Sequence, residues 1–119
     1  MKIELNGEDS KVVKQNETYT LIDNTELNNL VVSKTILHPG KETSGHNHSG
    51  QEEVYIFIKG RGKMIVGEKT YIVNGKDTNI EPSVVLIPDG AFHKVWNTSQ
   101  YKANDDLEFI CVFDGRRSH

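Results

Sequence analysis

Only one cysteine, Cys111, occurs among the 119 residues, so an intramolecular disulfide is excluded. No apolar run reaches the length of a membrane-spanning helix. Basic charge is not in excess. The formal net charge of -3 argues against nucleic acid or an anionic membrane as the partner. Internal repeats, low-complexity tracts and a helical period of apolar residues are all missing. Residues 1–5 are charged and lack a long apolar segment, so no signal peptide is expected and the cytoplasm is the expected location. The length suits one domain whose core needs no disulfide.

What is present is a rapid alternation of turn signals and short β-prone runs. Turns are marked by Pro39 with Gly40, Ser49 with Gly50, Gly60 and Gly62, Asn74 with Gly75, Pro88 with Gly90, and Asp114 with Gly115. Between them lie runs rich in β-branched and aromatic residues, at 30–37, 54–59, 64–66, 71–73, 84–87, 95–96 and 107–113. Short strands at this spacing predict an all-β sandwich or barrel. Residues 1–29 are more polar and read as one or two edge strands, the best at 19–22, followed by a polar loop at 24–29. The single domain, 1–119, thus divides into this N-terminal part, a barrel core at 30–113 and a loosely ordered tail at 114–119. Cys111 falls inside an apolar run, which predicts a buried, inert thiol. In 54–58 consecutive residues are apolar rather than alternate ones, as in a strand covered on both faces. One face would look into the barrel and the other onto a second sheet or a partner chain. A homodimer is the expectation that follows.

The chemistry-bearing residues are histidines and glutamates. His46 and His48 are two apart, a spacing that puts both imidazoles on one face of a strand. Glu53 lies five positions beyond His48, the wrong parity for that face unless Ser49 and Gly50 break the strand. His93 follows the turn at Pro88 and Gly90, far away in sequence. A lone histidine is more often a surface or core residue than a ligand, and His38 and His119 read that way. Three imidazoles and a carboxylate, brought together, would suit one divalent ion among iron, manganese, nickel, cobalt, zinc and copper better than calcium or magnesium.

At these residues the sequence resembles the cupin family. That family's first motif is a glycine, five residues, HxH, three or four residues, a glutamate, six residues and a glycine. Gly40, His46, His48, Glu53 and Gly60 fill every fixed position. The second motif is matched by Pro88, Gly90, His93 and Asn97, with Pro82 where the leading glycine would stand. The resemblance implies a double-stranded β-helix, the jelly-roll-like cupin barrel. It also implies a metal held by His46, His48, Glu53 and His93. Glu52 is the rival carboxylate, and the spacing to Gly60 favours Glu53. Asn97 reads as a strand-end residue capping its own turn.

Four ligands on an octahedral ion leave open positions for a substrate. One implied activity is that of a metalloenzyme on a small polar molecule: a sugar, a sugar phosphate, or a hydroxy or keto acid. Chelation of a hydroxyl and a neighbouring carbonyl suits an isomerase or lyase. The stretch from Thr43 to His48, followed by Glu53, Val54 and Tyr55, also looks like the metal segment of cupin-type phosphoglucose isomerases. Tyr55 shares the parity of Glu53 and can face the same cavity as a hydrogen-bond donor or proton relay, or simply pack. A phosphate would call for a basic partner from Lys41, Lys59, Arg61, Lys63 or Lys94. The alternatives are a non-haem metal dioxygenase and a module that binds a small ligand or metal without turnover.

Overall fold

A computed structural model describes residues 2–3, 5, 10–24, 27–47, 49–77, 79–100 and 105–114. Three sequence expectations lie wholly or partly outside that set: His48, the tail after Asp114, and positions 25 and 26 of the polar loop. The described chain is all β, with nine strands: β1 Ser10–Gln15, β2 Tyr19–Asn24, β3 Leu30–Leu37, β4 Glu53–Lys59, β5 Arg61–Val66, β6 Lys69–Asn74, β7 Val84–Ile87, β8 His93–Asn97 and β9 Leu107–Asp114. Among the described residues no helix is long and apolar enough to cross a membrane.

All pairings are antiparallel. Six strands form one sheet in the order β1-β2-β3-β9-β4-β7, and three form a second in the order β6-β5-β8. The two sheets make the jelly-roll barrel. In β9 the alternation is complete: Leu107, Phe109, Cys111 and Phe113 are buried, and the residues between them are half-buried. β4 turns Glu53, Tyr55 and Phe57 inward on the same two-residue period. With Leu37, Met64, Val73, Val85, Ile87 and Val95 these side chains build the core between the sheets.

β1 lies at the edge of the large sheet, beside β2, in the region read as one or two edge strands, where the sequence set bounds only for 19–22. Its neighbouring valines, Val12 and Val13, break the strand period, and both are exposed. Asn24, expected in a loop, is buried at the end of β2. The turn at 81–83, which has Pro82 instead of a glycine, is held by side chains. Asn74 donates from Nδ2 to the carbonyls of Gly75 and Glu81, and its backbone N–H donates to Ser83 Oγ. Gly60, the last residue of the first motif, has φ +89°, and a Cβ there would run into the carbonyl of Asp106. Only glycine accepts both conditions.

Candidate metal centre

His93 opens β8 and is 2% exposed. Its Nδ1 lies 3.1 Å from the carbonyl oxygen of Ala91, which can only accept, so Nδ1 carries the proton and donates. In the neutral ring this leaves the lone pair on Nε2, which faces His46 and Glu53, the arrangement found behind metal-bound imidazoles. His46 Nε2 is 3.1 Å from His93 Nε2, with the rings edge to face at 73°. Glu53 opens β4 and is 4% exposed, and its Oε2 is 3.6 Å from His93 Nε2. Glu52 is exposed.

Backbone geometry explains how residues so far apart in sequence meet. His46 and His93 exchange backbone hydrogen bonds, 3.1 Å from His46 N and 2.9 Å from His93 N. His46 therefore sits on an isolated bridge and not within a strand as its spacing suggested. The segment around it turns at Gly50, where Ser49 and Gly50 signal a break, and also at Gly45, which is not among the turns expected from the sequence; both are at positive φ. Gly50 N–H donates to Asp89 Oδ1 at 2.6 Å, tying the loop before Glu53 to the turn before His93.

Among the described residues, no group of three or more His, Cys, Asp or Glu side chains closes into a metal cage. The partial set still fits a transition-metal ion. Two nitrogens bound at about 2.1 Å and at right angles stand about 3.0 Å apart, and the two Nε2 atoms are 3.1 Å apart. The Glu53 carboxylate stands beside them. Gln51, two positions earlier, is buried, and neither atom of its amide has a hydrogen-bond partner. Gln51 lines a second cavity, with Glu52, Glu53 and Phe113, and not the one that His46 and Glu53 share. Gln51 was missed in the sequence, because a glutamine beside two glutamates gives no signal of its own.

The three residues border the barrel interior. A cavity of about 160 Å³ is lined by His46, Glu53, Tyr55, Cys111 and several hydroxyl and aromatic side chains. Tyr55 stacks on Phe109 at 5.1 Å and meets the His93 ring edge-on at 5.7 Å. Burial, then the neighbouring Cys111 and the charge of Glu53, hold its phenol well above the usual range. Tyr55 therefore keeps its proton near neutrality and serves as a donor. Asn97 is buried at the far end of β8. It donates from Nδ2 to the carbonyls of Leu37 and Asp105 and accepts from Ser99 N–H. It closes its own turn and ties β3 to the entry of β9.

Comparison with known proteins gives consistent likenesses. The family model that describes auxin-binding proteins matches residues 20–116. The chain is 30% identical over 77 residues to auxin-binding protein 4 of Zea mays, covering 62% of this chain and 36% of that protein. It is 29% identical over 116 residues to a glucose-6-phosphate isomerase of Pyrococcus abyssi, covering 87% of this chain and 56% of that one. The chain spans about half the length, or less, of these curated relatives. Among solved structures, a cupin-2 domain from Rhodospirillum rubrum superposes with TM-score 0.71 at 18% identity, over 100% of this chain and 80% of that one. A predicted oxalate decarboxylase from Thermotoga maritima gives 0.70 at 19%, over 96% and 98%. At these identities the structures speak for the fold alone.

Proposed function

The chain belongs to the auxin-binding protein family, a family of cupins, and from that premise we propose that it is a metalloenzyme acting on a small polar substrate. The substrate would be a sugar, a sugar phosphate, or a hydroxy or keto acid, and the reaction isomerase- or lyase-like. One observation carries this reading. His93 is buried with its Nδ1 proton committed to Ala91, and its Nε2 faces both His46 Nε2 and the Glu53 carboxylate. The glucose-6-phosphate isomerases among the relatives support the reaction class.

His46, Glu53 and His93 would hold the ion, with His48 as the fourth ligand implied by the motif. When bound, a divalent ion supplies Lewis-acid polarisation of a substrate oxygen. The chain's own residues set the rest. Ala91 fixes which His93 nitrogen is available. Glu53 brings a negative charge to a buried position, where a cation offsets its desolvation. Tyr55 offers an O–H from the wall of the same cavity. A second reading, a binding module without turnover, draws support from the auxin-binding relative and from the small volume of the cavity.

Elemental mass spectrometry of the purified chain tests the site. Near-stoichiometric transition metal is expected in the wild type, with most of it lost in His46→Ala and in His93→Ala while circular dichroism keeps the β signature. Glu53→Gln should lose more metal than Glu52→Gln. Full metal retention in His93→Ala would remove that ligand, and the reverse order of the two glutamines would move the carboxylate to Glu52.

The partner proposed is a second copy of the chain. On the outer face of the large sheet, Leu86, Val54, Val112 and Val32 form one cross-strand row, and Val84, Ile56 and Ile110 form the next. Val84 and Leu86 are 63% and 55% exposed. At one side of these rows Lys34 and Lys59 are both bridged to Glu108 within the chain. A two-fold axis would set the apolar rows against their own images.

A further inference from the structure

The wall of the cavity carries chemistry that metal binding leaves unused. Strand register sets Ser33 on β3 opposite Cys111 on β9, and Cys111 opposite Tyr55 on β4. This cross-strand row lies two residues along from the pair Phe113 and Glu53. Thr35 follows two residues along β3. All four side chains are buried, and all four line the cavity that His46 and Glu53 share. Ser33 and Tyr55 flank Cys111 across the strands, and Thr35 lines the same cavity, so a ligand there meets three hydroxyls and a thiol together. Every one of these groups is protic and uncharged.

No lysine or arginine is among the described residues of this cavity's lining. None of the five candidate cations, Lys41, Lys59, Arg61, Lys63 and Lys94, lines this cavity. Lys59 pairs with Glu108, Arg61 with Asp77 and Lys94 with Glu42, Lys63 lies over the Trp96 ring, and Lys41 is exposed. A phosphate dianion against this wall would be buried among neutral donors, with the Glu53 carboxylate on the same lining and no lysine or arginine to offset its charge. A hydroxyl exchanges its hydrogen bonds with water for equivalent ones here at little net cost. The cavity is also small, below the roughly 300 Å³ at which drug-sized ligands begin.

We propose that Ser33, Thr35, Cys111 and Tyr55 form a neutral hydroxyl-binding subsite, so that the ligand is a small unphosphorylated hydroxycarbonyl compound. The proposal rests on the metal reading above, which places the ligand's carbonyl end near His46, Glu53 and His93. It separates this chain from its sugar-phosphate isomerase relatives in substrate class.

The test uses the full chain loaded with Zn²⁺, its metal content counted beforehand. Titration calorimetry compares D-ribulose, D-xylulose and dihydroxyacetone with dihydroxyacetone phosphate. The phosphate ester has as many non-hydrogen atoms as the two pentuloses, so size does not confound the comparison. Infrared spectroscopy follows the S–H stretch, which reports one residue because the chain has one cysteine. At least one unphosphorylated ketose should bind at least about tenfold more tightly than the phosphate ester and shift the S–H band. Ser33→Ala and Tyr55→Phe should each weaken that ketose about 2- to 10-fold, the loss of one neutral hydrogen bond, with zinc content unchanged. Preference for the phosphate ester, binding without a band shift, or no band shift with any of the ketoses overturns the subsite. A chain that takes up no zinc, yet shows the band shift with a ketose, sinks the metal reading and leaves the subsite standing.

Discussion

Cys111 is shaped by three strands at once. Burial pushes its thiol from an ordinary 9.0 up to about 12, the charge of Glu53 adds to the rise, and the Tyr55, Ser33 and Thr35 hydroxyls oppose it. The folded thiol holds its proton where the unfolded one has lost it. Below pH 9 both states are protonated and stability is unaffected. Between pH 9 and about 12 only the unfolded chain ionises, so stability falls as pH rises, by about 1.4 kcal/mol per pH unit for one group. Tyr55, also raised, acts in the same direction above its ordinary 10.0. Urea unfolding at about pH 7 and about pH 10 should show the loss, and Cys111→Ala should lose less. An equal fall in the variant would clear the thiol of the effect. At this scale the sequence was legible where a motif spoke. Spacing to Gly60 favoured Glu53 over Glu52, and Glu53 is the one that turns inward. It was silent for Gln51 and for Ser33 and Thr35, because a glutamine, a serine or a threonine in a strand looks alike whether it faces a cavity or solvent.

Most strands were readable as elements, because β-branched and aromatic runs between turn residues leave few other conformations. β3 and β7 match the expected runs at both ends, and β4, β5, β6, β8 and β9 differ from theirs by a few residues at most. The segment from 38 to 52 was less legible. Its turns at Gly40 and Gly50 were marked, but the histidine spacing looked like a strand, and its shape also comes from a turn at Gly45 and from single hydrogen bonds to the distant β8, which no local pattern encodes. Gly60 belongs to this scale too, since it lets β4 turn directly into β5 beneath the entry of β9. Gly60→Ala must place an L side chain at positive φ against the Asp106 carbonyl. It should destabilise the chain by about 2 kcal/mol or more, read as a lower urea midpoint. A midpoint within error of wild type would mean that the turn can rearrange freely.

For the whole molecule, the fold class followed from the turn rhythm, whereas the pairing order did not. Nothing local in 107–113 says that this strand slots between β3 and β4. The outer apolar rows do have a readable trace, the consecutive apolar residues of 54–58, and they set the last prediction. Light scattering should give twice the 13.4 kDa chain mass, and Leu86→Glu, a charge placed at the proposed two-fold contact, should return it to one. A wild-type monomer over a wide concentration range would remove the dimer. The position of β9 also bears on biosynthesis. It is the last of the nine strands to leave the ribosome, yet it lies between two that emerge long before it, and it carries Phe109, Cys111 and Phe113 of the cavity wall. Until it arrives, β3 and β4 have no common neighbour and the pocket has no back. Closure of the cavity must therefore wait for translation to pass Asp114, and a nascent chain stalled before that point would present an open apolar seam to chaperones.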